Sequence, residues 1–194
     1  MPFFASVATF VPRAVRADVR ADVLAVLLFA AALPACAATQ RPDGGTGMLP
    51  VGSAAPDFAA KDATGKAVRL SDAAGSSRVV YFYPKDETPG CTKEACAFRD
   101  AFDQYKARGV VVFGVSRDTE ASHDEFRKNH SLPFSLAADP DGTIEHAYGV
   151  PELMGHSGIA SRVTFLVSKD GHVSYVWKNV DPAIHAAEVL AKVQ

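Results

Sequence analysis

The stretch VVYFYPKDETPGCTKEAC, residues 79–96, places a strand and the start of a helix side by side. Val79 to Tyr83 is a continuous run of β-branched and aromatic residues, which is typical of a strand that is buried on both faces. Thr88 followed by Pro89 is a helix start, with Thr88 as the N-cap and Pro89 as the first helical residue. We therefore predict a central strand that leads through a short loop into a helix over 89–108.

Cys91 falls in the first turn of this predicted helix, where unpaired N–H groups and the helix dipole favour an anion. A thiol there is expected to be partly ionised near neutral pH. Cys96 follows five residues later, and regular helix geometry separates the two Cα atoms by roughly 8–9 Å. Because a disulfide tolerates about 7 Å, the pair can bond only if the helix opens. The spacing favours a redox pair with a conformational step, and the alternative is two small packing residues.

The chain beyond this segment alternates strand and helix patterns. The predicted elements are a hairpin of 54–60 and 67–70, strands at 110–115 and 134–137, a helix over 120–130, a hairpin of 163–167 and 173–177, and a closing helix over 182–193. A βαβ unit that is followed by an antiparallel hairpin and a helix predicts an α/β protein with a thioredoxin-like fold, in which helices flank a mixed β-sheet. Lys85, Asp86 and Glu87 are interpreted as a solvated turn.

Composition excludes several classes of protein. The 194 residues include 20 Lys and Arg against 22 Asp and Glu, so there is no basic surplus with which to bind nucleic acid. Three cysteines are too few for a disulfide scaffold, and a zinc site would need two further ligands beside Cys91 and Cys96. We expect no metal and no cofactor. The scattered histidines are interpreted as surface or packing residues; they are His123, His130, His146, His156, His172 and His185.

Residues 1–36 have the pattern of an export signal. Three arginines precede the apolar run from Val23 to Leu33, which has the length of a signal-peptide core and is too short to span a bilayer. Leu33-Pro34-Ala35-Cys36 then resembles the lipobox of bacterial lipoproteins, in which the cysteine is lipidated, and a plain A-x-A cleavage site fits as well. Asp18 and Asp22 are atypical of a signal, so a buried N-terminal helix or a poorly ordered extension stays an alternative.

The predicted organisation is thus a signal, a tether and one domain. Residues 37–49 are rich in Gly, Ala, Thr and Pro and are predicted to be a flexible tether. Residues 50–194 are long enough to bury a core without a disulfide. We expect the protein in the cell envelope or periplasm, anchored to the membrane if Cys36 is lipidated, and in the cytoplasm if the extension is not a working signal. No interface stripe stands out, and we expect a monomer.

The motif around Cys91 resembles that of a known enzyme family. Pro84-x-x-x-Thr88-x-x-Cys91 is similar to the peroxiredoxin active-site pattern, and FYPKDETPGCTKEACAFRD over 82–100 resembles its bacterioferritin-comigratory-protein (Q-type) branch. That branch carries a second cysteine five positions after the first. The likeness covers about residues 50–194 and continues through the segments GVS at 114–116, LPF at 132–134, AYGV at 147–150 and RVTFL at 162–166.

The resemblance implies a thiol-specific peroxidase for hydrogen peroxide and organic hydroperoxides. Cys91 would be the peroxidatic cysteine and Cys96 the resolving cysteine, and a thioredoxin-type dithiol reductant would clear their disulfide. The same likeness implies that Arg162 stabilises the thiolate, that Thr88 hydrogen-bonds the peroxide or the thiolate, and that Pro84 shields the pocket from water. The loop from Glu152 to Ala160 would shape the preference for one peroxide over another.

Two other functions stay open at this point. A thioredoxin-like disulfide reductase of the cell envelope would share the fold, but such enzymes use C-x-x-C, and four residues separate Cys91 from Cys96. A non-catalytic binding module would need no reactive thiol. The two alternatives differ from the peroxidase in what they do with peroxide, and both are testable on that ground.

Overall fold

The computed structural model describes residues 40–154 and 158–194. The predicted export signal, Cys36, the first residues of the tether, His156 and part of the loop from Glu152 to Ala160 lie outside these ranges. The strands are β1 (Ala59–Lys61), β2 (Ala67–Arg69), β3 (Ser77–Phe82), β4 (Val110–Ser116), β5 (Ser135–Ala138), β6 (Val163–Val167) and β7 (Val173–Trp177). The helices are α1 (Pro89–Asp100), α2 (Phe102–Ala107), α3 (Glu120–His130), α4 (Thr143–Tyr148) and α5 (His185–Lys192), with a 3-10 turn at Leu70–Ala73.

The main sheet has the strand order β5-β4-β3-β6-β7. β3 pairs in parallel with β4, and β4 with β5, whereas β3–β6 and β6–β7 are antiparallel. The sheet is therefore mixed and carries helices on its faces, which confirms the predicted thioredoxin-like α/β fold. β1 and β2 form a separate antiparallel hairpin.

The central strand β3 buries both of its faces, as its apolar run predicts. Val79 and Tyr81 point into the core beneath α1, α2, α3 and α5. Val80 and Phe82 point into a second core, which includes residues of the β1–β2 hairpin and of α4. The alternation follows from the two-residue period of a strand. Cys91 belongs to the first of the two cores.

The predicted and observed elements differ in several places. The first strand of the hairpin predicted over 54–60 is confined to Ala59–Lys61. The single helix over 89–108 is divided at Ala101, whose φ of −90° and ψ of 0° leave the α-helical region, so α1 and α2 follow each other. The helix predicted from residue 182 begins at His185. α4 is absent from the prediction because its six residues carry too short an apolar pattern. In the structure, the backbone N–H groups of Ile144 and Glu145 in α4 donate hydrogen bonds to the buried carboxylate of Asp139.

The tether predicted over 37–49 is not flexible throughout. Arg41 is buried and donates to the carbonyl of Gly47 at 2.8 Å, and Leu49 is only 2% exposed. The Leu49 N–H also donates to the carbonyl of Tyr148 at 3.0 Å, at the end of α4. Burial of one leucine and its backbone bond outweighs the local preference of a Gly-rich segment for disorder, so the packed chain begins before residue 50. Within the described ranges, no helix is long and apolar enough to cross a bilayer.

Candidate active site

The segment from β3 to α1 has the local structure that its sequence predicts. Thr88 is the N-cap of α1 with an extended backbone, and Pro89 opens the helix. The Thr88 side chain does not cap the helix; its hydroxyl donates to the carbonyl of Lys85 at 2.9 Å. Cys91 therefore lies in the first turn, beside the unpaired N–H groups of the helix start, and it is only 1% exposed.

Arg162 reaches Cys91 from the neighbouring strand. Val163 pairs with Phe82 in the β3–β6 register, so Arg162 lies at the edge of the sheet where β3 ends and the loop to α1 begins. Its Nη2 donates to Cys91 Sγ at 3.2 Å, and its side chain is 17% exposed. A largely desolvated guanidinium at this distance stabilises a thiolate and any negative oxygen that develops next to it.

Glu94 completes the contact on the other side of the guanidinium, and the sequence analysis did not single it out. Arg162 Nη1 donates to Glu94 Oε2, and the glutamate is fully buried. Burial raises the pKa of Glu94 from 4.5 to about 7, and Arg162 acts in the opposite direction. Cys91 and Glu94 are three positions apart and so share one helix face. That spacing was the signal available in the sequence.

His185 packs behind this group from α5. The ring is fully buried between Phe98 and Trp177, and its Nε2 lies 2.8 Å from Thr164 Oγ1. Burial, aided by the charge of Arg162, lowers the pKa of His185 to about 4, so the ring is neutral at neutral pH. The histidine is a packing residue, as predicted, and it packs next to the ion pair of Arg162 and Glu94.

Gly90 leaves room for the guanidinium of Arg162. A Cβ built on Gly90 would lie 3.3 Å from Arg162 Nη2 and 3.9 Å from Pro182. The space beside Gly90 is therefore occupied by the guanidinium.

Cys96 lies on the same continuous helix as Cys91 and is half-buried. Both are free thiols. With α1 intact from Pro89 to Asp100, the helix spacing of about 8–9 Å between their Cα atoms holds, and a bond between them requires the helix to open. Pro84 is half-buried in the loop that precedes the helix, in the same segment as Thr88.

The interpretation of Lys85, Asp86 and Glu87 as a solvated turn is wrong for Asp86, which is 5% exposed and hydrogen-bonded. Lys85 and Glu87 are exposed, as predicted. A three-residue charged run looks solvated because its pattern does not reveal which member points inward. Among residues 40–154 and 158–194, no group of three or more His, Cys, Asp or Glu side chains is arranged to hold a metal ion.

A buried thiol that accepts a hydrogen bond from an arginine can, as a thiolate, attack a small oxidant, and on a thioredoxin-like sheet this chemistry is that of the peroxiredoxins, a class of thiol peroxidases. Residues 51–176 match the model of the AhpC/TSA family. The chloroplastic peroxiredoxin Q of Oryza sativa subsp. japonica is 45% identical over 150 residues, which are 76% of this chain and 68% of that protein. The chain belongs to the AhpC/TSA family, and its relatives are peroxiredoxins of the Q/bcp branch.

Solved structures agree with this assignment. Peroxidoxin BcpB of Mycobacterium tuberculosis superimposes with a TM-score of 0.69 at 32% identity, over 74% of this chain and 95% of that one. The bacterioferritin comigratory protein of Xanthomonas campestris gives a TM-score of 0.66 at 35% identity, over 70% of this chain and 89% of that one. The protein is accordingly a peroxidase and an oxidoreductase.

Proposed function

We propose that Cys91 is the peroxidatic cysteine of a two-cysteine peroxidase. Its thiolate attacks the nearer oxygen of a peroxide, so that an S–O bond forms, the O–O bond breaks, and the departing alkoxide or hydroxide takes up a proton to leave as alcohol or water. The cysteine becomes a sulfenic acid. The observation that carries this proposal is the 3.2 Å contact between Arg162 Nη2 and Cys91 Sγ at the first turn of α1.

Arg162 stabilises both the attacking thiolate and the negative charge on the departing oxygen. The Thr88 hydroxyl already donates to Lys85, which leaves its oxygen lone pairs to accept a hydrogen bond from the incoming peroxide. Pro84 presents a ring without a hydrogen-bond donor in the same loop and keeps water away from the sulfur. These roles match those that the family resemblance implies.

Cys96 resolves the sulfenic acid. Its sulfur attacks Cys91 Sγ, so that an S–S bond forms and the S–O bond breaks with loss of water. A thioredoxin-type dithiol then reduces the disulfide and is itself oxidised. The half-buried position of Cys96 on an intact α1 supports a resolving step that waits for the helix to open.

The substrates are hydrogen peroxide and organic hydroperoxides. Cys91 is 1% exposed, which suits a slender O–O group and disfavours the bulky protein disulfide that a disulfide reductase would attack. The bacterioferritin comigratory protein of Xanthomonas campestris reduces alkyl peroxides. A non-catalytic binding module would have no need for a buried thiol beside an arginine.

The test is peroxide consumption with a thioredoxin and its reductase as the electron source. We expect Cys91→Ser to abolish turnover, and Cys96→Ser to consume one equivalent of peroxide and then recycle poorly. Lys93→Gln, an exposed site on the same helix, is the control. Undiminished turnover of Cys91→Ser would refute the peroxidatic role, and insulin reduction without peroxide turnover would favour the disulfide reductase.

We also propose that the protein is exported as a monomer and anchored through lipidated Cys36. The support is the apolar run that ends in Leu33-Pro34-Ala35-Cys36. Intact mass and detergent partitioning of the native protein test this, because a lipoprotein loses the residues before Cys36 and enters the detergent phase. A water-soluble product that retains residues 1–36 would contradict export, and a dimer in sedimentation would contradict the monomer.

A further inference from the structure

Asp86, in the loop between β3 and α1, is a buried carboxylate that the proposed peroxidase chemistry does not use. It accepts hydrogen bonds from the Tyr83 hydroxyl at 2.7 Å and from the Ser122 hydroxyl at 2.8 Å, and it lies 2.8 Å from His123 Nδ1. The backbone N–H of Asp86 donates to the Asp118 carboxylate at 2.9 Å, in the loop that follows β4.

His123, on α3, has no exposed surface, and its Nε2 has no hydrogen-bond partner in the described part of the chain. Its polar contacts are therefore made through Nδ1, with Asp86 and with the Tyr83 hydroxyl at 3.4 Å. Because only one nitrogen of this buried ring is hydrogen-bonded, the position of the ring depends strongly on that bond. Asp86 is accordingly held in place from inside the protein.

Glu87 attaches the same loop to the other end of α3. Its Oε1 accepts from Asn129 Nδ2 at 2.9 Å, and its Oε2 lies 2.8 Å from His130 Nε2. Its φ of 58° is in the left-handed region, which a residue with a side chain adopts at a cost when its surroundings hold it there. We call the contacts of Asp86 and Glu87 with α3 the loop clamp.

The loop clamp ends four positions before the catalytic thiol. Between Glu87 and Cys91 stand only Thr88, Pro89 and Gly90. The sulfur of Cys91 has to leave the first turn of α1 to reach Cys96, and a loop that is bonded to both ends of α3 opposes this displacement. While the clamp is closed, it also keeps Thr88 and Pro84 in their positions around the sulfur.

We propose that Asp86 and His123 are positioning residues that set how often α1 opens in the sulfenic form. The inference rests on the proposed function, because it concerns the step that joins Cys91 to Cys96. A closed clamp holds the peroxide-reducing geometry and slows disulfide formation, which leaves the sulfenic acid exposed to a second peroxide. A weakened clamp speeds disulfide formation and protects Cys91 from oxidation to the sulfinic acid.

The experiment compares Asp86→Asn and Ser122→Ala with the parent protein at rising peroxide concentrations. Mass spectrometry of the full chain gives the ratio of Cys91 sulfinic acid to Cys91–Cys96 disulfide, and rapid mixing gives the rates of both steps. We expect the ratio of sulfinic acid to disulfide to fall about tenfold in Asp86→Asn and about threefold in Ser122→Ala, which loses only one hydrogen bond. In both variants the reaction of Cys91 with peroxide should become slower. Ser122→Ala keeps the test valid if the buried substitution does not fold.

Two controls separate positioning from general loss of stability. Ile144→Val weakens the second core, on the opposite face of the sheet from Cys91, and Asp124→Asn removes the ion pairs of Asp124 with Arg127 and Lys128 on α3. Both should leave the ratio unchanged. An unchanged or higher ratio in the two clamp variants would overturn the inference. A parent protein that never forms the disulfide would instead refute the proposed resolving role of Cys96.

Discussion

The guanidinium of Arg162 donates to Cys91 Sγ at 3.2 Å, although 71 positions separate the two residues in the chain. The pairing of β6 with β3 brings them together, since Val163 lies opposite Phe82. Glu94 bonds the other side of the same guanidinium. One guanidinium thus contacts two side chains of a single helix face, those of Cys91 and Glu94.

Loss of the Arg162 charge should slow the first chemical step. We expect Arg162→Gln to lower the second-order rate constant for peroxide about 10²–10³-fold, because the variant removes a charged donor from the reacting sulfur and from the departing oxygen. Rapid-mixing kinetics with hydrogen peroxide measure it. Lys93→Gln removes a charge from an exposed position on α1 and should leave the constant unchanged. Equal rates for the two variants would show that Arg162 has no part in the step.

A methyl group at Gly90 should separate catalysis from stability. Gly90→Ala places a Cβ 3.3 Å from Arg162 Nη2, so the guanidinium has to shift by a few tenths of an ångström. We expect the peroxide rate constant to fall about tenfold, since a displaced charge weakens its contact with the sulfur. The melting temperature should stay the same or rise slightly, because alanine favours a helix over glycine. A variant with unchanged rates would mean that Gly90 does not accommodate the arginine.

Glu94 should give the fold a specific pH dependence. Burial raises its pKa in the folded state from 4.5 to about 7. The folded state then holds the proton more tightly than the unfolded state. The protonated Glu94 therefore contributes its full stabilisation below pH 4.5, the pKa of the unfolded state, and this contribution is lost as the pH rises through about 7. Glu94→Gln carries no charge and lacks this loss.

We expect the free energy of unfolding to fall by about 2–3 kcal/mol more in the parent protein than in Glu94→Gln, between about pH 5 and about pH 8. Urea denaturation at both pH values measures it. His185, with a pKa lowered to about 4, is neutral in the folded parent protein at both pH values. Glu125→Gln, exposed on α3, should follow the parent. Parallel profiles for the parent and Glu94→Gln would contradict the raised pKa.

The N-terminal boundary of the fold is testable by truncation. A chain without residues 1–49 should be about 2–4 kcal/mol less stable than a chain without residues 1–39, because it lacks the buried Leu49. Leu49→Ala should show a loss of similar size. Thermal and urea denaturation compare the three chains.

Peroxidase activity should persist in both truncated chains. Leu49 packs in the second core, on the opposite side of the sheet from Cys91. Equal stability of the two truncated chains would restore the predicted boundary at residue 50. Loss of activity in the chain without residues 1–49 alone would show that residues 40–49 also support the active site.

The sequence by itself determined the parts of this protein that depend on neighbours along the chain. Thr88 and Pro89 start a helix whatever surrounds them, and Cys91 in its first turn and Cys96 five residues later follow from that start. The apolar run of β3 and the hairpin of β6 and β7 were predictable for the same reason, and the motif from Pro84 to Cys91 led to the family.

The tertiary structure alone decided which distant groups meet that helix. Asp86 turns inward because His123 offers it a buried partner, Glu94 becomes a buried acid because Arg162 reaches it from β6, and Leu49 packs because α4 presents a surface to it. Ala101 divides the long helix where its apolar pattern continues. Local patterns record propensity, whereas burial and pairing depend on contacts between residues far apart in the chain, which periodicity does not encode.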